Sequence, residues 1–316
     1  MTTTVTAPPV ATPPRSTTWN RPLLGFTAAM ALLTVVTLAG LVLDDRIVTG
    51  APVWLKPFKF STSFVLYAAT LAWMLSLLPQ RSRLAERATL VIVATSVIEM
   101  LIIVLQAARG QTSHFNTTSA FNSALWSAMG ASVMVLFAAQ VVVAVVVLRA
   151  RLADRVAAVG VRLGLGLSLL GMAAAVPMTL PTAAPGVDGV AGAHSVGVRD
   201  GGPGLPVLGW STVGGDLRVG HFIGLHALQA LPLLALLLLR FAARLGERTQ
   251  VRLLLVAGAA YAAVTVLLTW QALRGQSVVA PDALTLTAFA AVLTATAGAG
   301  AAVLASGRRD RKAQLA

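Results

Sequence analysis

Eight apolar blocks, each close to 20 residues long, alternate with short polar segments along the 316 residues of the chain. An α-helix rises about 1.5 Å per residue, so a block of this length crosses a hydrocarbon core of about 30 Å. The blocks cover residues 23–43, 61–78, 88–108, 125–148, 160–182, 221–239, 251–272 and 283–305. The pattern therefore predicts an all-α membrane protein with eight transmembrane helices.

Composition supports this prediction and excludes several other classes. Hydrophobic residues make up 57% of the chain and charged residues only 11%, whereas soluble domains contain about 25% charged residues. The net charge of +13 comes from short basic clusters between blocks, which argues against a nucleic-acid-binding face. The absence of cysteine excludes disulfides, thiolate metal ligands and a cysteine nucleophile.

The basic residues also predict the orientation in the membrane. Alternating the loops between two sides puts seventeen of the 24 basic residues on one side, which the positive-inside rule makes cytoplasmic. Both termini then lie in the cytoplasm. The proline- and threonine-rich residues 1–20 are predicted to be a disordered cytoplasmic tail, and residues 308–316 a basic one. The Ala- and Arg-rich composition suggests the cytoplasmic (inner) membrane of a bacterium.

A short repeat divides the chain into two halves. Residues 105–113 read LQAARGQTS and residues 270–278 read WQALRGQSV, with five identities in nine positions. Both copies end the third helix of a four-helix set, so residues 21–155 and 156–307 are predicted to be two parallel four-helix repeats related by an axis along the membrane normal. The long external loop over residues 183–220 is the main difference between the halves. Two similar helix ends in an Ala- and Arg-rich chain are the alternative interpretation.

Glu99 is the only acidic residue inside any of the apolar blocks. It precedes Arg109 by ten residues and so lies about 15 Å from that helix end. Ionisable groups at this depth usually face the bundle interior, where they pair or carry protons. Gln106 and Arg109 follow Glu99 at helical spacing, which predicts a polar stripe on one face. A protonated Glu99 with only a structural hydrogen bond is the alternative.

Further basic and amide side chains lie near the outer helix ends. Lys56 and Lys59 flank a proline just outside the second block, within an aromatic-rich stretch typical of an interfacial anchor. They could instead form, with Arg109, Arg274 and Gln271, the rim of a site for a small anionic solute.

The four histidines all fall on the predicted outer half of the protein. His114, His221 and His226 could hold a transition metal or haem, since neutral imidazole is a common ligand. His221 and His226 are five residues apart and do not have the i, i+4 spacing of HExxH sites. Interfacial histidines bound to water or backbone are the alternative. Gly220 and Gly224 permit close helix packing, and an oligomer contact is possible there and at Gly298 and Gly300.

The segments KPFKF, LQAARGQTSHFN, DGGPGLP and GDLRVGHFIGLHALQALPL resemble those of a group of bacterial polytopic membrane proteins. The resemblance covers most of the chain after residue 50 and implies eight helices, with no substrate or catalytic residue. The arrangement of four plus four helices with outward histidines is also loosely similar to haem A synthase, although the first half here offers only His114, in a loop.

Two classes of function follow from the sequence. The first is a membrane protein with an outward-facing polar cavity that binds or transports a small anionic solute, using the basic residues for charge and Glu99 for proton coupling. The second is a membrane-embedded metal- or haem-dependent enzyme or redox protein. The first is preferred because the arginine pattern occurs in both halves and the histidine pattern does not.

Overall fold

The computed structural model describes residues 19–180 and 188–315, with side chains as far as Asp310. Most of the predicted N-terminal tail and residues 183–187 of the predicted external loop lie outside this part of the chain. The long helices are α1 (Arg21–Leu43), α2 (Leu55–Ser76), α3 (Arg83–Ala108), α4 (Ala120–Arg149), α5 (Arg155–Ala173), α6 (Arg218–Phe241), α7 (Glu247–Leu273) and α8 (Ala283–Leu315). In the described residues, eight helices are long and apolar enough to cross a membrane. The chain is a multi-pass helical membrane protein.

Little other regular structure is present in the described residues. Two 3₁₀ turns cover Val176–Thr179 and Ala243–Leu245. The strands β1 (Ile47–Val48) and β2 (Ala51–Pro52) form one small hairpin, and β3 (Ser195–Val196) pairs antiparallel with β4 (Gly215–Asp216).

Polar side chains at the helix starts explain several of the boundaries. Ser82, Ser119 and Asp154 accept hydrogen bonds from the backbone N–H of the third residue of α3, α4 and α5. Asp282 accepts the corresponding bond from Thr285 at the start of α8. Each cap satisfies a donor that has no partner within its own helix.

Helix α2 begins earlier than the hydropathy pattern predicts. Lys56 and Lys59 lie inside its first two turns and not outside the helix, so that prediction was wrong. Pro57 is tolerated as the third helical residue because N–H groups in the first turn have no acceptor within the helix. Because α2 starts early, both lysines belong to the first turns of a transmembrane helix.

The helices pack mainly against their sequence neighbours, in the pairs α1–α2, α3–α4, α5–α6, α6–α7 and α7–α8. The largest core contains fully buried side chains from several helices, among them Leu71, Ile92, Met129 and Leu165. Helices α4 with α5 and α2 with α6 join the two halves of the chain. The hydrophobic window of α8 has no buried residue, so this helix presents most of its surface to lipid.

Glycines bring α5 unusually close to α6. A Cβ on Gly171 would overlap the backbone of Gly224, and a Cβ on Gly224 would overlap Gly171 in return. Gly164 faces Pro232 and the Ala227 carbonyl on the same contact. The close packing predicted for Gly224 is confirmed, and Gly220 packs against Thr269 of α7.

Four loops meet at one end of the bundle, which we call the histidine end. Arg46, after α1, donates to the Ala108 carbonyl at the end of α3. The segment before α6 pairs with the α3–α4 loop, where the Ala191 N–H donates to the Phe115 carbonyl. The Ser277 hydroxyl, after α7, donates to the Ser211 carbonyl. Residues 188–217 are therefore fastened to the rest of the bundle.

Candidate functional site at the histidine end

Asp200 orients His194 in the segment before α6. The Asp200 carboxylate accepts from the His194 ring Nδ1 at 2.6 Å, and from the backbone N–H groups of His194 at 3.0 Å and Ser195 at 2.8 Å. Burial acts to raise the pKa of Asp200, but the hydrogen bond from the His194 ring and the other bonds hold it below its usual range. An ionised carboxylate only accepts, so Nδ1 of His194 carries the proton and Nε2 has a free lone pair in the neutral ring.

His221 is oriented in the same way by a different acceptor. Its Nδ1 lies 2.7 Å from the Gly171 carbonyl oxygen, which the close packing of α5 on α6 brings within reach. A backbone carbonyl cannot donate, so Nδ1 again carries the proton in the neutral ring. No hydrogen bond to Nε2 of His221 or of His194 occurs among the described residues.

His114 is surrounded by aromatic rings and lies near His194. Its ring centroid is 5.8 Å from Phe60, 6.0 Å from Trp126 and 6.3 Å from His194. Its Nδ1 contacts the Ser113 hydroxyl at 3.1 Å. Burial lowers the pKa of His114 well below its usual value, and the charges of Lys56, His194 and His221 act in the same direction. Burial likewise lowers the pKa of His194, although Asp200 opposes the effect. Both rings are therefore neutral near pH 7.

Lys56 lies near the histidines and interacts with the carboxyl group of Glu99 on α3. The two groups attract each other across the α2–α3 contact, and Lys56 also interacts with the charges of His114 and His194. Glu99 is only 7% exposed. Neither side chain makes a hydrogen bond or an ion pair within 4 Å in the described part of the chain, although the Lys56 ammonium lies 5.9 Å from the Phe60 ring. A buried carboxylate without a hydrogen-bond donor or a close ion pair is costly.

We call Lys56, Glu99, His114, His194 and His221 the histidine cluster. Two attachments hold the segment before α6 next to it. Lys59 donates to the Leu208 carbonyl at 3.0 Å. Arg218 pairs with the fully buried Asp216 and also donates to the Gly209 carbonyl.

The predicted rim residues of the repeated motif make a different kind of contact. The Gln106 amide donates to the Thr112 carbonyl at 3.2 Å, and the Gln271 amide donates to the Ser277 carbonyl at 2.8 Å, six residues on in both cases. Arg109 bonds Asn122, the third residue of α4, and Arg274 bonds Thr285, the third residue of α8. Gly110 and Gly275 both adopt positive φ. These side chains hold together the α3–α4 connection and the α7–α8 connection, which we call the two helix joints.

Each arginine is also held against an aromatic ring. The Arg109 guanidinium lies 4.7 Å from the Phe121 centroid, and that of Arg274 lies 4.6 Å from Trp270. Arg274 pairs with Asp282 at 2.6 Å. The bonds of Gln106, Arg109, Gln271 and Arg274 are thus made within their joints, and the histidine cluster is built from other residues.

The histidines predicted as metal ligands are only partly brought together. His114 and His221 belong to the cluster, whereas the exposed His226 lies 3.3 Å from Gln229, one helical turn further along α6. Among residues 19–180 and 188–310, no three His, Asp or Glu side chains are placed to share a metal ion.

The best-defined hollows lie away from the cluster. One is an open apolar groove between α7 and α8, lined by Val266, Trp270 and Val292 among others, on a surface suited to lipid. The other is a small recess at the opposite end of the bundle, beside Asn20 and Arg81.

His194 and Asp200 were not among the candidate residues identified in the sequence. They are six residues apart in a glycine-rich loop, where no helical or strand periodicity pairs them. Only the turn of the loop and the β3–β4 pair bring them together. Comparisons with protein-family models, with curated proteins and with solved structures found no match.

Proposed function

We propose that this membrane protein binds or transports a small anionic solute at the histidine cluster. The Lys56 ammonium would neutralise the solute's charge, and Glu99 would carry the coupled proton. The observation that carries the proposal is the buried Glu99 beside Lys56, both without hydrogen-bond partners in the described residues. Glu99 is buried and Lys56 half-buried, and neither forms an ion pair within 4 Å in the described residues, so both groups can interact with a ligand.

The proposal includes an orientation and a repeat. The histidine end would face outward and both termini the cytoplasm of a bacterium, in line with the basic residues concentrated at the other end. Four-helix repeats would place the two braced joints in equivalent positions, which the matching bonds of Gln106 and Gln271 favour. The solute site would then occur once, since Lys56 and Glu99 have no counterparts in the second half.

Thermal stabilisation of the purified protein in detergent tests the binding step. A panel of acetate, glycolate, phosphate and sulfate should contain at least one anion that raises the Tm of the wild type. Lys56→Met should abolish the rise, and the exposed Arg248→Gln at the opposite end is the matched control. No rise with any anion, or an equal rise in Lys56→Met, would contradict the proposal.

Proton coupling is tested at Glu99 in vesicles loaded with a pH-sensitive dye. A gradient of the stabilising anion should change the internal pH with the wild type. Glu99→Gln keeps the size of the side chain but removes its titratable proton, so the protein should fold normally and the pH change should be lost. A purely structural Glu99 would instead tolerate Gln, while Leu would lower the stability. An unchanged signal in Glu99→Gln would exclude a proton-carrying role.

A metal- or haem-dependent enzyme is the second candidate, and one specific observation favours it. His194 and His221 each bond an acceptor through Nδ1 and leave Nε2 free, as metal-ligating histidines commonly do. The loose resemblance to haem A synthase belongs to this candidate. The visible spectrum and metal content of the purified protein distinguish the two: a stoichiometric haem or transition metal favours the second.

A further inference from the structure

The fixed tautomers of two histidines restrict which anions the cluster accepts. Asp200 and the Gly171 carbonyl are both pure acceptors, so each directs the ring proton of its histidine to Nδ1. The neutral rings of His194 and His221 therefore offer only lone pairs at Nε2. The tautomer of His114 is not fixed in this way, because the Ser113 hydroxyl can donate or accept.

The remaining groups of the cluster add one donor and one acceptor. Glu99 offers carboxylate oxygens and Lys56 offers an ammonium, and neither makes a hydrogen bond or an ion pair within 4 Å in the described part of the chain, although Lys56 lies 5.9 Å from the Phe60 ring. The nearby cations are engaged elsewhere, Arg218 with Asp216 and Lys59 with the Leu208 carbonyl. Within the histidine cluster, Lys56 is thus the cation without a hydrogen-bond acceptor among the described residues, and it lies with the Nε2 lone pairs of His194 and His221.

We propose that the solute of this site is an anion that also carries its own hydrogen-bond donor, such as a hydroxy acid or a protonated oxyanion. Its negative end would lie at Lys56, and its O–H would donate to Nε2 of His194 or His221. An anion without a donor would leave these lone pairs desolvated and unpaired, and it would be rejected for that reason. The inference rests on the proposed function and specifies the class of solute.

Two pairs of anions, each with one member that has an O–H group and one that has none, test whether the solute's hydrogen-bond donor is required. Glycolate differs from acetate by one hydroxyl. Phosphate has nearly the shape of sulfate, but it retains at least one O–H near neutral pH whereas sulfate has none. We expect glycolate and phosphate to bind the detergent-solubilised protein about tenfold or more tightly than acetate and sulfate, as judged by Kd from thermal-shift titrations at fixed pH.

The histidine variants locate the source of the preference. His194→Gln or His221→Gln should reduce the preference within each pair, because the glutamine amide can donate to an anion that has no hydroxyl. His226→Gln replaces an exposed ring whose hydrogen-bond contact is with Gln229; it is the matched control and should keep the preference. Equal binding of both members of each pair by the wild type would overturn this inference and leave anion binding intact. No binding of any of the four anions would overturn both.

A second measurement needs no variant that might fail to fold. Nitrogen-15 NMR of histidine-labelled wild type distinguishes rings protonated at Nδ1 from those protonated at Nε2. At least two of the four histidines should be neutral and protonated at Nδ1. A spectrum in which at most one ring has this tautomer would refute the inference, whatever the binding data.

Discussion

Neutral, half-buried histidines make the stability of this protein sensitive to acid. Burial lowers the pKa of both His114 and His194 below the ordinary value of 6.5. The unfolded chain therefore takes up protons at a higher pH than the folded protein does, and acid favours unfolding. The stability is fully present above pH 6.5 and decreases as the pH falls through the interval between 6.5 and the lowered folded-state values.

We expect the Tm in detergent to decrease as the pH is lowered from 7.5 to 5, and the decrease to be smaller in His114→Gln. His226→Gln, which removes an exposed ring, should retain the wild-type profile. Melting curves at a series of pH values measure the effect. A wild-type Tm that is independent of pH over this range would show that the half-buried rings are not neutral when folded.

At the scale of the helices, the α5–α6 contact depends on glycine at specific positions. Gly171 and Gly166 lie on the same helix, but a Cβ on Gly171 would meet Gly224 whereas one on Gly166 would meet nothing within 4 Å. Gly171→Ala should destabilise the protein by roughly 1–3 kcal/mol through overpacking. Gly166→Ala should be neutral or slightly stabilising, since alanine favours helix. Equal Tm values for the two variants would show that α5 and α6 are not in close contact.

The braced joints give a second prediction at this scale. Gln106 is fully buried and donates to the Thr112 carbonyl and to Asn122. Gln106→Leu should cost about 1–3 kcal/mol because each acceptor loses one of its donors and Arg109 loses the Gln106 side-chain oxygen as an acceptor. The exposed Gln111, whose side-chain oxygen accepts from Asn116 at 3.5 Å, provides the control variant Gln111→Leu. If Gln106→Leu instead retains its Tm and loses only anion binding, the residue belongs to the solute site as the sequence suggested.

At the scale of the whole molecule, the proposed topology can be tested without a ligand. Reporters fused after Arg87, Arg155, Arg248 and the C-terminus should report the cytoplasm, because most basic residues lie at that end. Reporters near Thr118 and Gly202 should report the outside. A C-terminus outside the cytoplasm would contradict the orientation, and with it the outward-facing site.

The sequence by itself determined the eight helices, because a spanning segment must be long, apolar and internally hydrogen-bonded whatever surrounds it. The same constraint marked Glu99 as exceptional, since its depth follows from helical rise alone. Local spacing sufficed for both of these. The repeated motif around Gln106 and Gln271 was visible in the sequence, but it was interpreted as part of a solute site, and the bonds six residues along the chain came from the structure.

Only the tertiary structure decided which polar groups meet. Lys56 lies beside Glu99 because α2 starts early and packs on α3, and His221 reaches Gly171 because two glycines let α5 and α6 touch. Asp200 fixes His194 through a loop fold that no periodicity encodes. The physical reason is the same in each case: hydrophobicity along the chain is a one-dimensional signal, whereas these contacts depend on helix packing and loop closure in three dimensions.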